Sequence, residues 1–149
     1  MNKTILLLTL FASTLFNLSA QEWLTDINEA KKLAAERSEN IVLVFQGSDW
    51  CAPCMKLEQE IWSTEVFKKY AKGHYIMLKA DFPRKKAHKL SDEQQEKNNQ
   101  LAEKYNLQGY FPFVVVLNKD GKVLGTTGYK NVSPSEYIEI LNALSKTHG

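Results

Sequence analysis

The chain alternates between unbroken apolar runs and stretches in which apolar residues recur every three or four positions. Ile41 to Phe45 is apolar throughout, as expected of a central strand covered on both faces. Tyr75 to Ala80 reads as a second buried strand and Phe113 to Leu117 as a third. The Asn118 to Gly121 turn leads from the third into a fourth, Lys122 to Thr126, so these two are expected to form a hairpin.

Helical spacing fills the intervals. Asp26 followed by Glu29 is an acidic relative of the capping box, and Ile27, Ala30, Leu33 and Ala34 give one face of a helix over Ile27 to Arg37. Cys54, Leu57 and Ile61 share a side of a helix opened by Cys51, with Pro53 in its first turn, where a missing N–H costs little. Ser63 is expected to cap a short helix carrying Val66, Phe67 and Tyr70, with Gly73 as its stop. A polar helix is expected after Ser91, apolar only near Leu101, Ala102 and Tyr105. Ser133, Pro134 and Glu136 cap the last, whose face is Tyr137, Ile140, Leu141 and Leu144.

Helices alternating with strands require a largely parallel sheet covered on both faces, and the hairpin adds antiparallel pairing. The expectation is therefore an α/β fold: a central mixed sheet, helices on both faces, and a C-terminal β-hairpin plus helix. At 149 residues and 44% apolar content, one domain with a full core is expected, without need of disulfides.

Residues 1–20 are set apart from that domain. Lys3 is followed by the mostly apolar stretch Ile5 to Leu18 and a small-residue cut point at Ser19-Ala20, which reads as a secretory signal peptide. Leu18 is bulkier than the residue usual at its place before the cut. The alternative, an uncleaved membrane anchor, is disfavoured by a short run interrupted by Thr, Ser and Asn. Cleavage would leave residues 21–149 as the domain in the periplasm or outside the cell. Removing Lys3 lowers a net charge of only +2, so neither nucleic acid nor anionic lipid is an expected partner.

Phe82 to Gln100 is the least core-like stretch. Arg84, Lys85, Lys86 and Lys89 precede Asp92, Glu93, Glu96 and Lys97. Such a run is expected to be a solvated loop, with contact to an acidic partner as the rarer alternative.

Trp50 to Cys54 reads WCAPC and holds both cysteines of the chain, directly after the central strand and at a helix start. A disulfide between them closes so small a loop that it removes little entropy from the unfolded chain, which makes a structural staple the weaker reading. A helix N-terminus concentrates unsatisfied N–H groups at the first cysteine and favours its thiolate, the nucleophile of disulfide exchange. A zinc site lacks ligand pairs, because no third cysteine exists and His74 and His88 are scattered along the chain. No metal and no cofactor are expected.

WCAPC after a buried strand, with Gly109-Tyr110-Phe111-Pro112 just before the strand Phe113 to Leu117 and the Asn118-Lys119-Asp120-Gly121 turn, resembles the secreted thioredoxin-like proteins. The likeness is to the bacterial periplasmic thiol:disulfide interchange group and runs from about Trp23 to Thr147. It implies a thioredoxin fold and a protein thiol–disulfide oxidoreductase. Cys51 would be the exposed attacking thiol, Cys54 the buried resolving one, and Pro112 a cis-proline facing the disulfide. Trp50, Ala52, Pro53, Phe111 and Pro112 would line the substrate groove. Protein or peptide disulfides would be substrates, and a reducing electron donor, membrane-bound in one version, would resupply the dithiol.

The chain departs from that family in three ways. The strand before the motif carries no buried acid, which leaves the proton acceptor for Cys54 open, and Asp49, Lys56 and Glu58 read as solvent-facing charges. Phe113 stands where a small residue usually follows the proline, with Phe111 before it, and suggests a more apolar groove. The charged stretch from Phe82 to Gln100 is longer than the corresponding thioredoxin connection. Ala52-Pro53 supplies no imidazole to the thiolate, so the potential is expected nearer the roughly −270 mV of thioredoxin than the roughly −120 mV of the strong periplasmic oxidant. That favours reductase or isomerase work. The competing reading is a non-catalytic module that holds client segments around Phe111, Phe113 and Trp50.

Overall fold

The computed structural model describes residues 21–146, and the expected signal segment lies outside them. The elements in chain order are β1 (Trp23–Leu24), α1 (Ile27–Arg37), β2 (Asn40–Gln46), α2 (Ala52–Leu57), α3 (Glu65–Ala71), β3 (Tyr75–Asp81), α4 (Asp92–Tyr105), β4 (Phe113–Leu117), β5 (Val123–Thr127) and α5 (Pro134–Lys146). A π-helical turn, Glu58–Trp62, continues α2, and a 3-10 turn, Lys86–His88, precedes α4.

The five strands form one mixed sheet in the order β1-β3-β2-β4-β5. β1, β3 and β2 are parallel, whereas β4 runs antiparallel to both β2 and β5. β2 is central, and its unbroken apolar sequence follows from feeding two cores at once. Val42 and Val44 face a core with Leu57, Ile61, Trp62, Phe67, Tyr137 and Leu141 of α2, its π turn, α3 and α5. Ile41, Leu43 and Phe45 face the other, with Ala30, Ala34 and Leu101 of α1 and α4.

Caps fix the helix limits. The Asp26 carboxylate accepts the N–H groups of Asn28 at 2.8 Å and Glu29 at 3.2 Å, and Ser38 ends α1 in the left-handed region at φ 56°. Ser133 and Glu136 form the expected reciprocal box on α5: the Glu136 carboxylate accepts from Ser133 N–H at 2.8 Å, and Glu136 N–H donates to the Ser133 hydroxyl at 3.2 Å. The N–H of Ser133, foremost, holds the Glu136 carboxyl below its ordinary pKa.

Several limits differ from the sequence expectation. Thr64, not Ser63, caps α3: its hydroxyl accepts from Phe67 N–H at 3.3 Å. Ser63 belongs to the widened turn, where its N–H reaches the Glu58 carbonyl at 2.8 Å. β1 was not expected, since two residues are too few to show a period. β5 begins one residue later than expected, at Val123, and the Val116/Leu117 register shift lies opposite. Ile138, rather than Ile140, is buried in α5 with Tyr137 and Leu141. Among the described residues no helix is long and apolar enough to cross a membrane.

Candidate active site

The loop from β2 to α2 turns on Gly47, whose carbonyl accepts the N–H groups of Trp50 at 3.3 Å and Cys51 at 2.9 Å. A Cβ at Gly47 would meet the Trp50 ring at 2.2 Å, so the position admits no side chain while that ring stays where it is. Cys51 is the N-cap of α2, with Ala52 and Pro53 in the first turn. Its sulfur accepts the Cys54 N–H at 3.3 Å. Cys51 and Cys54 form a disulfide with their Cα atoms 5.2 Å apart.

Both cysteines are only 4% exposed, so in this oxidised form Cys51 is not the open sulfur that the family resemblance implies. Its sulfur is committed to Cys54 twice, through the S–S bond and the accepted N–H. Ala52 and Pro53, between the two cysteines, are exposed.

Aromatic rings gather at Trp50, the chain neighbour of Cys51. The Phe111–Pro112 peptide is cis, as the resemblance implies. Phe111 meets Trp50 edge-on with ring centroids 5.4 Å apart, and Phe82 at 5.6 Å. Phe113 does not join this group: its ring lies 6.3 Å from Phe45 and 5.7 Å from Tyr110. Phe113 packs against the α1/α4 core, as Phe111 and Phe82 do in part, and of these rings Phe111 is the one that also meets Trp50. Buried Asn106 steadies the segment before the cis-proline, donating to the Tyr110 carbonyl and accepting its N–H, each at 2.9 Å.

The charged stretch is solvated as expected, with Arg84 to Lys89 exposed, but its backbone is fastened to this site. The Trp50 indole N–H donates to the Phe82 carbonyl at 2.8 Å, and the Arg84 guanidinium lies 3.7 Å from the Trp50 ring centroid. Asp49 does not face solvent as expected, because its side chain is 3% exposed. It accepts the N–H groups of Arg84 and Lys85, both at 2.9 Å, and meets His88 Nδ1 at 3.0 Å. Ser48 ties the same loop to β3 by donating its N–H at 2.9 Å and its hydroxyl at 2.6 Å to the Asp81 carboxylate. Lys56 sits 6.0 Å over the Tyr129 ring, and Glu58 accepts from the Ser63 hydroxyl at 3.2 Å. No local sequence signal marks Asp49, since its partners lie 35 to 39 residues away.

The Arg84 N–H, foremost, holds the Asp49 carboxyl down to about 2, with the Lys85 N–H and His88 adding and burial opposing. A depressed carboxyl contributes stability that is fully present above its unfolded pKa of about 3.9 and lost as pH falls through the folded value. The anchor is therefore expected to survive acidification to about pH 4 and open on the way to about 2. Protection of the Arg84 and Lys85 amides against hydrogen exchange, corrected for intrinsic rates, checks this. Protection already lost at pH 5 would contradict it.

A cysteine pair at the start of the helix after the central strand, with a cis-proline just before the neighbouring strand β4, defines a thiol–disulfide oxidoreductase of the thioredoxin fold. The model of the thioredoxin-like family matches residues 22–119, and the chain belongs to that family. The disulfide bond reductase DsbH of Chlamydia pneumoniae is 32% identical over 118 residues, covering 79% of this chain and 69% of that one. A solved DsbH oxidoreductase is similar at TM-score 0.78 and 30% identity, with 86% of each chain covered. A disulphide isomerase from Xylella fastidiosa Temecula1 shares the fold at TM-score 0.59 and 21% identity, over 80% of this chain and 88% of that one.

Proposed function

We propose that the protein works as a reductase of protein disulfides, with Cys51 as the attacking thiol and Cys54 as the resolving one. The observation that carries this reading is the Cys54 N–H directed at the Cys51 sulfur from the first turn of α2, a contact that stabilises a thiolate there once the pair is reduced. The Cys51 thiolate attacks one sulfur of a substrate disulfide, forming a mixed disulfide and expelling the other sulfur as a thiolate. Cys54 loses its proton and attacks the Cys51 sulfur, releasing the second substrate thiolate. Two electrons pass from the Cys51–Cys54 dithiol to the substrate, and the protein ends in the disulfide form. A dithiol donor must then reduce it again.

Phe111, Pro112 and Trp50 form the groove beside the pair, with Ala52 and Pro53 at its exposed lip. The name of the Chlamydia relative, disulfide bond reductase, supports the reductive direction. The absence of an imidazole between the cysteines supports it chemically. Residues 1–20 serve as an export signal, so the work is done in the periplasm or outside the cell.

Pre-reduced protein is expected to reduce the interchain disulfides of insulin, with dithiothreitol as the recycling donor, and Cys51→Ser is expected to abolish the rate above the donor alone. An unaltered rate in Cys51→Ser, or none in the unsubstituted protein, rejects the reading. Client binding that persists in Cys51→Ser without any reduction by the parent would make it a holding module.

A further inference from the structure

The segment after β3 is a basic strip fastened to the rim of the disulfide. Asp49 grips the backbone of Arg84 and Lys85, and Trp50, adjacent to Cys51, carries the Arg84 guanidinium on its face. The acidic side chains nearby are spent elsewhere: Asp49 on this anchor, Asp81 on Ser48, and Asp92 on Lys89 at 3.7 Å. Among the described residues, Arg84, Lys85 and Lys86 enter no ion pair, and all three are exposed. Three cations thus stand together on a fixed backbone beside the groove, although the protein as a whole is nearly neutral.

We propose that Arg84, Lys85 and Lys86 form a docking site for an acidic segment flanking the cysteines of the protein substrate. This rests on the reductase reading and adds its substrate class. Holding the loop at Asp49 and the guanidinium on Trp50 removes freedom that pairing would otherwise have to restrict. Complementary charge at the edge of a reactive groove raises the productive encounter rate more than the affinity of the bound state. The effect therefore belongs in the second-order rate of reduction and is screened by salt.

Two synthetic peptides with the same internal disulfide, one flanked by Asp and Glu and the other by Asn and Gln, test this against the pre-reduced protein. At low ionic strength the acidic peptide is expected to react about fivefold to tenfold faster, as a few exposed charge pairs allow. The ratio should approach one in about 1 M salt, where the screening length is roughly 3 Å. It should also approach one in the triple variant Arg84→Gln/Lys85→Gln/Lys86→Gln. The charge-matched control Lys32→Gln/Lys69→Gln/Lys119→Gln, on α1, α3 and the turn between β4 and β5, should keep the preference. Equal rates for the two peptides, or a preference that survives the triple variant, overturn the docking site and leave the reductase reading standing. Failure to reduce either peptide sinks both. Equal rates for the two peptides together with binding to phosphatidylglycerol vesicles that the triple variant loses would assign the strip to a membrane surface and overturn it too.

Discussion

Changing Cys54 to Ser is expected to turn a catalyst into a trap. The variant, reduced and mixed with an oxidised protein substrate, should accumulate a covalent complex through Cys51 at close to one substrate per molecule. Turnover should fall by about a thousandfold or more, because the two sulfurs act as one unit. Cys54 sits on the first turn of α2 with its Cα 5.2 Å from that of Cys51, close enough to attack the Cys51 sulfur as soon as a mixed disulfide forms there. A serine hydroxyl in that place is no nucleophile toward sulfur, so the second displacement stops. Non-reducing electrophoresis and intact mass read the complex, and dithiothreitol should release it. Cys51→Ser should trap nothing. Complexes formed by Cys51→Ser and not by Cys54→Ser would exchange the two roles, which exposure alone does not assign, since both residues are 4% exposed in the disulfide form.

The chemistry of this pair was legible because it is local. WCAPC, the strand before it and the proline before β4 all lie in short windows, and the sheet presents them together. Local signals also located α1, the Ser91 start of α4 and the capping box of α5. Each depends on residues a few positions apart. The apolar runs of β2, β3 and β4 were equally plain, since a strand between two cores has no polar face to confuse the pattern.

What was missed is held by contacts far apart in sequence or by polar atoms in the interior. Asp49 looked like a surface charge because its partners come from the other side of β3. The basic run is solvated as expected, but the anchoring of its backbone was hidden for the same reason. α4 was expected to be polar, with an apolar face only near Leu101, Ala102 and Tyr105. Buried Asn98 also attaches it, by donating to the Asp81 carbonyl at 2.8 Å, while Lys97 reaches Asp26 at 3.1 Å. A hydrophobicity pattern has no term for an asparagine whose polarity is satisfied inside. Ser63 and Thr64 are chemically interchangeable as caps, and only the extra residue of the π turn selects the second.

The same turn carries the largest expected effect on stability. It delivers Ile61 and Trp62 together into the core beneath α2, and the Trp62 ring, 1% exposed, meets Phe67 at 4.7 Å, Tyr137 at 5.3 Å and Trp23 at 6.0 Å, each edge-on. Trp62→Ala removes a ring from the centre of three others, on elements as far apart as β1, α3 and α5, which cannot all move in to fill the void. Such a change costs about 3–5 kcal/mol from lost burial and the cavity left behind. For a domain of this size that corresponds to a midpoint lowered by roughly 10–20 °C. Urea unfolding of the oxidised protein measures the loss as a lower midpoint at unchanged slope. Trp50, with its ring on the rim between Arg84 and Phe111, provides the contrast: Trp50→Ala should lower the midpoint far less than Trp62→Ala and act mainly on the rate of disulfide reduction. A loss below about 1 kcal/mol for Trp62→Ala would mean that the core closes over the gap, and that the π turn is not what keeps α2, and with it the cysteine pair, seated on the sheet.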